Sequence, residues 1–76
     1  MLVKDILKVQ NGRLLLAETG ERARTYSACV VKDGDVIYAG DRGRAAVLAE
    51  ENEATLFSCN GGILDMVRDY STDYEQ

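Results

Sequence analysis

Apolar residues at Val3, Ile6 and Leu7 follow the i, i+3, i+4 spacing of one helical face, with Lys4, Asp5 and Lys8 off it. The pattern predicts an opening helix of about two turns. Asn11-Gly12 would stop it, because glycine accepts the left-handed conformation that follows many helices. Arg13 to Ala17 then reads as a strand, although three consecutive leucines fit either burial on both faces or a helix. Glu18 to Arg24 is polar, contains Gly20 and reads as a loop.

The alternation sharpens from Ser27 to Tyr38, where Asp33-Gly34 has the residues of a two-residue primed hairpin turn. The expected register sets Lys32 against Asp35, Val31 against Val36, Val30 against Ile37 and Cys29 against Tyr38. Opposite charges then meet beside the turn and β-branched residues meet inside. Asp41 is an N-cap for a helix from Arg42 to about Glu51, with Ala45, Val47, Leu48 and Ala49 as its apolar surface. Ala54 to Cys59 and Ile63 to Tyr70 flank Asn60-Gly61-Gly62 as a second hairpin. A Gly61-Gly62 turn pairs Phe57 with Met66 and Cys59 with Leu64, all on one face, whereas an Asn60-Gly61 turn would set Leu56 against Asp65. The first register, or a three-residue loop with a bulge, is the more coherent.

These elements predict a single α+β domain over residues 1–70, a small mainly antiparallel sheet of about five strands with two helices on one face. Residues 71–76 read as an acidic flexible tail. On the last strand Asp65, Asp69 and, in the tail, Asp73 are expected opposite Leu64 and Met66, facing solvent together.

Charge is divided unevenly along the chain. Residues 50–76 hold seven acids and one base, and residues 1–49 hold six acids and eight bases, for a net charge of −4. An acidic total disfavours direct nucleic-acid binding, which draws on many Lys and Arg. No apolar run approaches the roughly 20 residues of a membrane-spanning helix. With 46% hydrophobic and 29% charged residues the chain reads as a folded globular domain. At 76 residues its core is small, so self-association into a homodimer or a bound metal would help it. The first ten residues do not resemble a signal peptide, and a reduced cytoplasmic setting is expected.

Candidate chemistry is sparse. The chain has no His, and Ser27, Ser58 and Ser71 therefore lack the usual base of a nucleophilic serine, so no catalytic residue is expected. Cys29 and Cys59 would supply two thiolates to zinc on neighbouring strands, but there is no Cys-x-x-Cys pair, and buried core thiols are the commoner reading. Gly40 to Arg44 before a helix would offer N–H groups to an anion, yet lacks a phosphate-loop spacing. Asp65, Asp69, Tyr70, Asp73 and Tyr74 combine carboxylates with tyrosine, a composition suited to binding a basic protein surface.

Two resemblances extend this reading. Met1 to Val9, Asp35 to Gly40 and Ala54 to Val67 resemble small accessory proteins of Firmicutes phages and mobile elements. That resemblance implies a non-enzymatic protein of a bacterial host cytoplasm, of the kind that includes anti-CRISPR inhibitors acting on the basic surfaces of RNA-guided nucleases. Separately, Asn11-Gly-Arg-Leu14 followed by Ala28 to Asp41 is similar to the small β-subdomain preceding the barrel in amidohydrolases, here without metal-binding His. The expected function is an interaction protein, an inhibitor whose acidic face docks on a basic nucleic-acid-binding surface. The alternatives are a zinc-stabilised module and an orphan amidohydrolase-like β-subdomain.

Overall fold

Three two-residue turns organise the chain, each with both central residues at positive φ: Asn11 (55°) and Gly12 (73°), Asp33 (53°) and Gly34 (84°), Gly61 (61°) and Gly62 (92°). Such turns match the right-handed twist of the strands they join, which is why Asn-Gly, Asp-Gly and Gly-Gly mark them in sequence. The computed structural model, which describes residues 3–71, accordingly contains three hairpins. They are β1 (Leu7–Gln10) with β2 (Arg13–Leu16), β3 (Ala28–Lys32) with β4 (Asp35–Gly40), and β5 (Thr55–Asn60) with β6 (Ile63–Asp69). A short helix α1 (Val3–Ile6) precedes them, and α2 (Arg42–Glu51) joins the second hairpin to the third.

The first hairpin corrects the expected opening. Helix ends at Ile6, and Asn11-Gly12 turns a hairpin instead of stopping a helix. From Leu7 the burial alternates, Leu7 buried, Lys8 exposed, Val9 half-buried and Gln10 exposed. That period of two overrides the helical spacing of Val3, Ile6 and Leu7 once leucines across the turn offer a partner strand. The sheet therefore has six strands, all antiparallel, in the order β1-β2-β6-β5-β3-β4, where about five were expected.

The two faces of the sheet are covered differently. On one face Ala28, Val30 and Leu56 pack with Ala45 and Ala49 of α2 and with Ala54. Alanines four apart let the helix backbone approach the strands, while Val47 between them stays 55% exposed, outside the packed face it was expected to join. Asp41 caps this helix, its carboxylate accepting from the N–H of Gly43 (3.3 Å) and of Arg44 (2.9 Å).

The other face is covered by the β1–β2 hairpin, so helices do not supply all the cover. β2 meets β6 only where two turns touch: Arg13 pairs with Ile63, Leu14 N–H donates to Gly62 (2.8 Å), and Leu64 N–H donates to Gly12 (2.9 Å). Past that junction β2 bonds the Glu21–Ala23 segment instead, and the hairpin folds over the face so that β1 and α1 lie against β4. Leu7, Leu14, Ala23, Cys29, Val36, Cys59 and Leu64 form the core beneath it.

Two bulges alter the expected registers. Lys32 pairs with Asp35 and Val31 with Val36 as expected, but Val30 then pairs with Tyr38 and Cys29 with Ala39. Ile37 is the extra residue, so Tyr38 packs on the helix-covered face with Val30. In the third hairpin Gly61-Gly62 is the turn, Cys59 pairs with Leu64 and Phe57 with Met66, as the favoured register requires. Leu56 then pairs with Arg68, which leaves Val67 as the bulged residue.

Candidate interaction surface

The bulge at Val67 reorganises the residues expected to form one acidic face. Residues opposite one another in a ladder share a face, so Asp65, across from Ser58, lies on the side of Leu56 and α2. Asp69, across from Thr55, lies on the side of Phe57 and Cys59. The two carboxylates therefore point to opposite faces, which corrects the expectation that both oppose Leu64 and Met66. Without the bulge their even spacing would have aligned them.

Asp65 is exposed and Asp69 is held. Thr55 Oγ1 donates to Asp69 Oδ1 (3.1 Å), as do Ser71 Oγ (2.5 Å) and the Ser71 N–H (3.0 Å). These donors, Ser71 foremost, hold the Asp69 carboxyl below the usual carboxylate range. Tyr70 is half-buried, packs against the helix-side core and receives Arg68 over its ring at 5.1 Å. It is a wall of the domain as much as a surface residue. Asp73 and Tyr74, the other members of the expected surface, lie outside the described residues.

Acidic residues that sequence reasoning did not single out close α2 and follow it. Tyr70 N–H donates to Ala54 (3.0 Å), which places Glu53 and the end of α2 next to the end of β6. Glu50 and Glu51 occupy the last turn of α2, Glu53 follows it, and all are exposed. Arg42 and Arg44 occupy its first turn. This order opposes the helix dipole, which favours acids at the start and bases at the end. Asp41 as cap relieves the first turn, and Lys32 Nζ donates to the Asn52 carbonyl just beyond the last. The signal was present in sequence as a run of acids closing a helix, and the Tyr70–Ala54 bond sets the Glu53 end of that run beside the end of β6.

The two thiols lie in the core beneath the first hairpin. Cys29 on β3 and Cys59 on β5 face the same core and are both buried. Burial, reinforced by the neighbouring Cys59, pushes the Cys29 thiol up to about 12, and burial also raises Cys59. Zinc binds thiolates, and among the described residues no group of three or more Cys, Asp or Glu gathers to hold a metal. At Gly40 to Arg44 the Asp41 carboxylate already occupies the N–H groups that an external anion would need.

Among the described residues no helix is long and apolar enough to cross a membrane. No protein-family model, curated protein or solved structure matches the chain.

Proposed function

We propose that this chain is a non-enzymatic interaction module whose acidic end docks on a basic protein surface. The observation that carries the reading is the placement of Glu50, Glu51 and Glu53 at and just beyond the C-terminal end of α2, against the helix dipole. Acids there disfavour the helix by about 0.3–1 kcal/mol each, a cost that folding does not require. A basic partner would reverse the sign of that interaction. Clustered charge of one sign also accelerates encounter with a complementary surface and orients it. Asp65 and the acidic residues after Ser71 would extend the contact.

The partner class we assign is a basic nucleic-acid-binding protein, with the channel of an RNA-guided nuclease as the specific candidate for an inhibitor. The test titrates the chain against such a nuclease with and without guide RNA and follows target cleavage. Salt-sensitive binding that is lost in the Glu50→Gln/Glu51→Gln/Glu53→Gln variant, with cleavage restored, supports the reading. Binding that ignores both salt and the substitutions removes the acidic end as the docking surface. Failure to bind the nuclease while other basic proteins bind with the same salt and charge dependence removes the nuclease and keeps the surface.

A further inference from the structure

The outer face of α2 has no neighbour among the described residues and carries its charges in reverse. Ala45 and Ala49 turn one side of the helix into the core, and Val47, half a turn away from both, stays 55% exposed. Arg44 lies three residues before Val47 and Glu51 four after it, so the three share one side of the helix. Together with Asp41, Gly43 and Leu48 they line a shallow groove. Arg44 sits in the first turn and Glu51 in the last, each against the dipole of its own helix. Neither side chain has a hydrogen-bond or ion-pair partner among the described residues.

We propose that α2 packs on α2 of a second copy in an antiparallel dimer whose two-fold axis passes at Val47, so that Arg44 of each copy meets Glu51 of the other. A helix of opposite direction presents its C-terminal end to Arg44 and its N-terminal end to Glu51. The two charges that oppose their own helix therefore favour its neighbour, and they also attract one another. A parallel pair would set Arg44 against Arg44 and Glu51 against Glu51. A partner of single charge would satisfy one of the two and repel the other.

Helix geometry places the remaining side chains of this face without conflict. A two-fold perpendicular to both helices keeps a residue on the same side of the line of contact. Arg44 and Glu51, about two turns apart, lie on one side of that line, where they meet. Gly43 and Glu50 lie on the other, so Glu50 comes against a residue without a side chain. Val47 packs on Val47 at the centre, which covers the exposed apolar residue of this face. Asp41, the other acid of the groove, is held by the N–H groups of Gly43 and Arg44 at the start of its own helix. A ten-residue helix gives a contact at the small end of protein interfaces, so the association is expected to be weak and reversible. It uses Glu51 alone of the acids closing α2 and needs no basic partner, so it stands apart from the docking proposed above.

Sedimentation equilibrium on the full chain tests the contact. Wild type is expected to form a dimer that grows with concentration and dissociates as salt is raised. Arg44→Glu sets acid against acid at both contacts and Glu51→Arg sets base against base, so each alone is expected to associate at least about tenfold more weakly. Mixed in equal amounts, the two variants are expected to form a heterodimer, because each brings the charge that the other lacks. Glu50→Gln/Glu53→Gln is expected to dimerise as wild type does, whatever it does to the binding of a basic protein. Each swap also places its charge in favour of its own helix dipole, and dilution separates that effect, which acts within one chain, from the contact between chains. A wild type that stays monomeric up to its solubility limit overturns the proposal. So does a dimer that survives both single swaps, a mixture that does not reassociate, or a loss of association in Glu50→Gln/Glu53→Gln. If circular dichroism shows that either swap is unfolded, Val47→Asp at the axis is read in its place: a monomer supports the contact and an undiminished dimer overturns it.

Discussion

Arg22 lays its side chain across Gly62, so closely that a Cβ on the glycine would stand 2.8 Å from Arg22 Cβ. Gly62 also has a φ of 92°, and its carbonyl accepts from Leu14 N–H where the first and third hairpins join. Gly62→Ala should therefore combine a left-handed penalty of about 1–2 kcal/mol with a displaced Arg22. Gly12→Ala, at a φ of 73° with no atom within 4 Å of the added Cβ, should show the conformational penalty alone. Urea denaturation is expected to rank Gly62→Ala as the more destabilised. Equal losses would show that the hairpin junction yields freely around Arg22.

Asp69 links stability to acid. Its carboxyl is held below the usual range by Ser71 and Thr55, so the folded state binds that proton less readily than the unfolded chain. The stabilisation is present above the ordinary carboxylate pKa of about 3.9 and is lost as pH falls through the depressed folded value. Wild type should lose more stability than Asp69→Asn between pH 5 and the acid transition, each measured by urea midpoint. Parallel curves would place the acid sensitivity on other carboxylates.

Cys29 links stability to alkali with the opposite sign. Its folded thiol ionises only near pH 12 against an ordinary value of 9.0, so stability is complete below 9.0 and falls as pH rises toward 12. At neutral pH the folded protein should resist alkylation at Cys29 and react fully once denatured. Cys29→Ser puts an unpartnered hydroxyl at a fully buried position and should cost about 1–3 kcal/mol. Thermal melting unchanged by a chelator is expected if packing alone accounts for both thiols. A melting temperature that drops with chelator would instead assign them to a metal.

Local chemistry made most of the fold legible. Asp33-Gly34, Gly61-Gly62 and Asp41 name their own turn and cap, and the helix from Arg42 to Glu51 follows from the last of these. Asn11-Gly12 carried the same hairpin signal, but glycine also ends helices, and Val3, Ile6 and Leu7 lent themselves to that reading. The bulges at Ile37 and Val67 left no comparable mark, since each depends on how a strand must bend over its neighbours. One unmarked bulge was enough to separate Asp65 from Asp69 and to bring Asp65 onto the face of Arg68. Charge was thus readable as an amount, but its direction in space was not. The acids of α2 were visible as well, and became a surface only through the hydrogen bond that sets Tyr70 beside Ala54.

The acids of α2 allow stability and binding to be set against each other. Glu51 lies in the last helical turn, exposed, where a positive charge would favour the dipole that its carboxylate opposes. Glu51→Lys should therefore stabilise the domain by about 0.3–1 kcal/mol. For a domain of this size each kcal/mol corresponds to roughly 4–8 °C in melting temperature, so a scanning calorimeter resolves the gain. Glu51→Gln should give a smaller gain of the same sign, and added salt should shrink both. If the acidic end is a docking surface, the same two variants should lose affinity for a basic partner in the reverse order, Lys more than Gln. A stabilised variant that binds as well as wild type would leave the helix charges as an uncompensated cost, and would move the search for a partner to Asp65.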